Sequence, residues 1–417
     1  MNGRIYLDNA ATTPVDEEVL KEMMPYFSEK FANPASMHQD GEEANAGVTE
    51  ARDAAAKFLG CNADEIIFTS GATEGNNMAI KSFGQSKKLA EKYGGKIHII
   101  TSAIEHDCIL RSTERLLKNG EIEATFIPVD SYGAVDVKSV IEAIKENTAL
   151  VSIMYANNET GVIQPIKEIA LGLKKANEGR GEKKIFFHTD AAQALNYLDC
   201  DVNSLGVDLM TVSGHKIYGP KGIGAIYIRK GTPIEPFMNG GDQEMRLRAG
   251  THNVPGIVGL GAAIKAIPSH RADNERIKNL RDKLIDGILK GIENSALNGS
   301  RENRLPNNAN IRFQGIEGEA ILMMFDNEGI SVSTGSACAA KNLAPSHVLI
   351  AMGIDHVGAH SSIRFSLGRH TTESDVDKVI AVMPGIAKKL RAVSGSFNKA
   401  DFSDMEPEEE HHETENI

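Results

Sequence analysis

EIIFTSGATEGNNMAIKSF, residues 65–83, is the stretch on which the fold turns. Ile66 to Thr69 read as a short buried strand, Gly71 allows a tight turn, and a helical stretch follows. The same unit recurs outward. KIHIITS (96–102) precedes EHDCILRSTERLLKNG (105–120), and EATFIPV (123–129) and ALVSIMYA (149–156) lead to IKEIALGLKKANE (166–178). KIFFHTD (184–190), DLMTVS (208–213) and GAIYIRK (224–230) complete the series. Such alternation predicts an α/β domain with a mostly parallel sheet and helices on both faces. Ligands collect at the carboxyl ends of the strands in such sheets, so the residues just after each strand carry the functional reading.

From about Gly261 the texture changes. The charged helical segment RADNERIKNLRDKLIDGILKGIE (271–293) leads into NNANIRFQG, EGEAILMMFDNEG and, at the end, SSIRFSLGRHTTESDVDKVIAVMPGIAKKL. This predicts a smaller α+β domain. The expected division is a large domain over 15–262 and a small one from 1–14 and 263–393. The acidic segment 394–417, poor in apolar residues, is expected to be a disordered tail.

Composition excludes several classes. The net charge is −12, with 41% hydrophobic and 24% charged residues. No block of Lys and Arg offers a footprint for nucleic acid or an anionic membrane. No apolar run reaches the length of a membrane span, and MNGRIYLDNAATTP is not a signal peptide, so the expected compartment is the cytoplasm. The cysteines, Cys61, Cys108, Cys200 and Cys338, form no C-x-x-C pair and suit neither a zinc site nor a disulfide framework. Cys338 alone sits among glycine, serine and other small polar residues, in STGSACAAKNLAPSH (333–347). It reads either as a free surface thiol or as a nucleophile that travels.

After the first strand, the start of the helix at Ala72 and Thr73 offers free backbone N–H groups to a phosphate; the alternative is a helix cap from Ser70 or Thr73. Asp190 ends KIFFHTD, where it could cap a helix or face a protonated ring nitrogen. Ser213, Gly214, His215 and Lys216 follow DLMTV. A lysine there is either solvated or partly desolvated for Schiff-base chemistry. Phosphate turn, then Asp, then Ser-x-His-Lys is an order that resembles the fold-type I enzymes that use pyridoxal 5′-phosphate (PLP).

The resemblance narrows further. YLDNAATTP, NPAS-x-H, GATEGNN, EHD, NNETG, HTDAAQ, SGHKIYGPKGIG, RAGTHNVPGIVG, STGSAC and SSIRFSLGR occur in that order. Together they resemble the NifS/IscS-like cysteine desulfurases of the class V aminotransferase family, from Tyr6 to about Arg391. The resemblance implies a large domain built on a mostly parallel seven-stranded sheet. It implies that Lys216 carries PLP and later moves the substrate's Cα proton, that Asp190 pairs with the ring nitrogen, and that Gln193 bonds the ring hydroxyl. Thr73, Ser213, His215 and the backbone of Ala72 would hold the phosphate. Thr251 would reach it from a neighbouring subunit, which implies a homodimer. His106 would stack on the ring and serve in proton transfer, and Asn157 would lie near the ring hydroxyl and the substrate carboxylate. Arg364 would bind that carboxylate. Each has a plainer alternative: His215 and Asn157 as structural hydrogen-bonders, His106 as a helix cap, Arg364 as the partner of a buried acid.

The same resemblance implies that L-cysteine is the substrate and that Cys338 takes its sulfur as a persulfide, leaving alanine. The acceptor would be an IscU-like Fe–S scaffold protein, a tRNA-thiolation relay or another sulfur carrier. No resident metal is implied, although Cys338 could ligate a transferred Fe–S cluster. The rival expectation is a selenocysteine lyase or another class V enzyme. Gly75 stands where relatives often carry serine and is expected to loosen the helix start slightly. Cys108 is expected to be a small buried hydrophobe rather than a second pocket thiol. The ending after Ser394 does not match the family ending that helps bind the scaffold.

Overall fold

The computed structural model describes residues 3–335 and 344–397. Seven of the predicted strands form one sheet. They are β2 (Ile66–Thr69), β3 (His98–Ser102), β4 (Glu123–Ile127), β5 (Thr148–Ser152), β6 (Phe186–Asp190), β7 (Leu209–Ser213) and β8 (Gly224–Ile228), in the order β2-β8-β7-β6-β5-β3-β4. The pairings from β7 through β4 are parallel. β8 runs antiparallel to both β2 and β7. Every residue of β2, β3, β5, β6, β7 and β8 is buried, as a sheet covered on both faces requires.

Two apolar layers flank the sheet. One gathers Phe68, Val151, Phe187 and Tyr227 with helices Gln39–Leu59 and Val254–Arg271. The other gathers Ile67 of β2 with Met78, Phe83 and Ile109 from helices Ala72–Gly84 and Asp107–Lys118. Helix Val254–Arg271 runs across position 262, and its Ile264 and Ile267 belong to the first layer.

A separate core lies between helices Asn274–Gly291 and Glu373–Phe397 and a three-stranded antiparallel sheet. That sheet orders β12 (Ser362–Ser366), β10 (Asn308–Phe313) and β9 (Ser295–Leu297). β1 (Ile5–Tyr6) pairs in parallel with β11 (Ile330–Ser331), so the start of the chain joins this half. Helix Glu373–Phe397 enters the expected tail as far as Phe397, because extending a formed helix adds one hydrogen bond per residue fixed. The remainder of that segment, 398–417, lies outside the described residues. Among the described residues no helix is long and apolar enough to cross a membrane.

Candidate active site

A cavity of about 530 Å³ opens at the carboxyl ends of the sheet strands, within the size range of small-molecule sites. It brings together nine of the residues singled out in the sequence: Ala72, Thr73, His106, Asp190, Gln193, Ser213, His215, Lys216 and Arg364. They come from strand ends, helix starts and the second core, so the topology, not local sequence, assembles them.

One end of the cavity suits an anion. Helix Ala72–Gly84 begins at Gly71, whose φ of 154° falls in the range that favours glycine, and no side chain among the described residues caps it. Neither Ser70 nor Thr73 therefore takes the capping role, and the first helical amides remain available. The Ser213 hydroxyl oxygen beside them is buried and has no hydrogen-bond partner among the described residues. His215 is pushed down to about 4 by burial and by the cations Lys216 and Lys221, so it is neutral at pH 7 as the site stands. Gly75 has a packing role in this helix. A Cβ there would lie 2.9 Å from Thr211 Cγ2, so glycine lets the helix rest directly on β7.

The other end is acidic. Asp190, at the end of β6, accepts from Ala192 N at 2.9 Å and from Asn76 Nδ2 at 2.6 Å. Asn76 Nδ2 also reaches Cys108 Sγ at 3.1 Å, and Cys108 Sγ lies 3.1 Å from His106 Nδ1. The same Nδ1 accepts from Cys108 N, so His106 caps helix Asp107–Lys118 as well as lining the cavity. Cys108 is buried in the apolar layer as expected, yet it also lines the cavity. Burial and the charge of Asp190 push its thiol up to about 12, so it is protonated.

The floor comes from the start of the chain. Lys216 Nζ donates to the carbonyls of Ala10 and Ala11 at 2.5 and 2.7 Å, and Gln193 Nε2 donates to Ala10 O at 2.9 Å. Arg364, on β12, is almost wholly buried. Its Nη2 donates to Asp8 Oδ1 at 2.8 Å and its Nη1 to Asn158 O at 3.0 Å. The alternative weighed for this residue, pairing with an acid, is thus realised alongside its place in the cavity. Behind His106, Glu105 is fully buried and pushed up to about 8, chiefly by burial.

Asn157 departs from expectation. Its carboxamide is committed to its own turn: Oδ1 accepts from Glu159 N, Thr160 N and Thr160 Oγ1, and Nδ2 donates to Ile104 O at 3.0 Å. The next residue, Asn158, lines the cavity instead. A tight turn places adjacent side chains in opposite surroundings, and motif matching does not say which faces the site. Thr251 is exposed and is not among the cavity-lining residues. Cys338 lies outside the described residues. Asn76, Asn158, Lys221 and Asp8 were not singled out. All four stand inside recognised motifs, and the Asp8 contact joins residues 356 positions apart.

A strand-end lysine, an acid and an uncapped helix start around one cavity are the marks of a cofactor-dependent enzyme on this fold. The family model described as "Aminotransferase class-V" matches residues 5–379, and the chain belongs to that family. Among its relatives, a protein of Dictyoglomus turgidum named "Cysteine desulfurase IscS" is 49% identical over 395 residues, covering 94% of this chain and 97% of the relative. A solved structure titled "NIFS-LIKE PROTEIN" superposes with a TM-score of 0.82 at 38% identity, covering 94% of this chain and all of that one. Another, titled "SspA in complex with cysteine", gives 0.76 at 38% identity over 88% of this chain and all of that one.

Proposed function

We propose that this protein is a PLP-dependent cysteine desulfurase that removes sulfur from L-cysteine, yields alanine and holds the sulfur on Cys338. The observation that carries the reading is the convergence of Lys216, Asp190, His106 and Arg364 on one cavity, in a chain whose relatives bear that name.

The cavity fits the cofactor. The unpartnered Ser213 hydroxyl, the uncapped start at Ala72 and Thr73, and neutral His215 would take the phosphate. Asp190 would face the ring nitrogen, Gln193 the ring hydroxyl, and His106 the ring face. When bound, PLP supplies an electron sink for the bonds to the substrate's Cα. Arg364 would hold the substrate carboxylate through parallel N–H donors. The Lys216 amine would take the Cα proton at Nζ and return it. The Cys338 thiolate would then attack the substrate sulfur: an S–S bond forms, the Cβ–S bond breaks, and its electron pair stays with the three-carbon skeleton. That skeleton takes up protons and leaves as alanine, while Cys338 keeps a persulfide.

In this reading the cofactor domain runs from residue 15 to the end of helix Val254–Arg271, past the expected boundary at 262, and 1–14 with the rest of the chain up to 393 form the smaller domain. The protein works as a cytoplasmic homodimer in which exposed Thr251 completes the phosphate site of a second copy. The persulfide passes to an Fe–S scaffold protein or another sulfur carrier. The test is to purify wild type, Cys338→Ala and Lys216→Ala and supply L-cysteine with a reductant. Wild type should be yellow and release sulfide and alanine. Cys338→Ala should keep its colour and release neither, and Lys216→Ala should lose the aldehyde-bound colour. Undiminished turnover by Cys338→Ala overturns the role of that thiol.

A further inference from the structure

A buried guanidinium needs compensation even when no substrate is present. Arg364 finds it in Asp8. The contact is rigid, because the two residues lie on paired backbones: Asp8 bridges Ser366, Asn9 N donates to Ser366 O at 3.1 Å, and Ser366 N donates to Leu7 O at 2.7 Å. Ala10 N donates to Ser366 Oγ at 2.9 Å, fixing the same segment again. With Nη1 on Asn158 O, the guanidinium is held at two of its nitrogens. Its Nε is buried with no partner among the described residues.

We propose that Asp8 is a positioning residue that tunes how tightly the site holds a carboxylate. It fixes the guanidinium through Nη2, leaves the N–H donors that Asp8 and Asn158 do not take for the incoming group, and shares the positive charge with it. The shared charge weakens the hold on the substrate carboxylate, and equally on the carboxylate of the amino-acid product, which therefore leaves readily. This rests on the reading of Arg364 as the carboxylate site.

The experiment titrates PLP-loaded wild type, Asp8→Asn, Asp8→Glu and Arg364→Ala with L-alanine, following cofactor absorbance at equilibrium without turnover. Asp8→Asn keeps the shape and removes the charge. It should bind alanine about tenfold more tightly, the effect of one unit charge roughly 6 Å away in a partly hydrated site. Asp8→Glu should stay near wild type, and alaninamide, which lacks the carboxylate, should bind all charge-altered Asp8 variants alike. Should Asp8→Asn fail to fold, Asp8→Ser carries the same expectation. Unchanged or weaker alanine binding by the neutral variant, with binding lost in Arg364→Ala, overturns the role of Asp8 alone. Wild-type alanine binding by Arg364→Ala overturns the carboxylate site itself.

Discussion

Glu105 offers a quantitative test of how the site is built. Its Oε1 accepts from Ser102 Oγ at 2.6 Å and from Met154 N at 2.8 Å, while Oε2 is buried without a partner among the described residues. That asymmetry suits a protonated acid, with Oε1 as the carbonyl oxygen. Burial and the nearby charge of Asp190 raise the group from 4.5 to about 8. Below pH 4.5 the folded and unfolded chains both hold the proton and nothing is lost. Between these values the unfolded chain releases it and the folded chain does not, so stability falls as pH rises. The slope is about 1.4 kcal/mol per pH unit, or roughly 3 kcal/mol between pH 5.5 and 7.5 from this one group. Glu105→Gln keeps the shape and cannot ionise. Its unfolding curve should therefore flatten against wild type over that window. Denaturant midpoints at half-unit pH steps, taken on both PLP-loaded proteins, measure the difference. Two parallel curves would refute both the protonated state and the reasoning behind it.

Two further outcomes follow from packing and burial. Cys61, Cys108 and Cys200 are each pushed up to about 12, chiefly by burial, which leaves about one thiolate in ten thousand at pH 8. Brief alkylation of the native protein should spare all three by peptide mass mapping, and rapid labelling of Cys108 would contradict its protonated state. Gly75→Ala should destabilise by about 1–3 kcal/mol despite alanine's better helix propensity, because its Cβ meets Thr211. Adding Thr211→Ser, which removes the obstructing methyl, should recover most of the loss in a denaturant melt, and a stabilised single variant would sink the packing account.

Much of the fold was legible because its strands are short, rich in apolar and β-branched residues and followed by turn residues. Ile66–Thr69 and Leu209–Ser213 declare themselves in this way, and the chemistry sits where each strand stops. Lys216 and Asp190 could be found by that rule alone. What stayed hidden depends on distance or on a single rotation of the chain. The pairing of Asp8 with Arg364 joins opposite ends of the sequence, and no local pattern records it. Asn157 and Asn158 are chemically identical neighbours, and only the hydrogen bonds of the turn tell them apart. Gly75 read as slightly loosening the helix start because its packing neighbour, the methyl of Thr211, lies on β7, far along the chain.

The floor of the cavity has a bearing on how the protein is made. The segment from Asp8 to Thr13 is synthesised well before its partners, His215, Lys216 and β12. Domains fold as units during synthesis, with their N-terminal parts available first. Here this segment must wait for β12 before it can be seated. The carbonyls that hold Lys216 are thus tied to the synthesis of β12, and a truncated product lacking β12 would carry the lysine without its fixed floor.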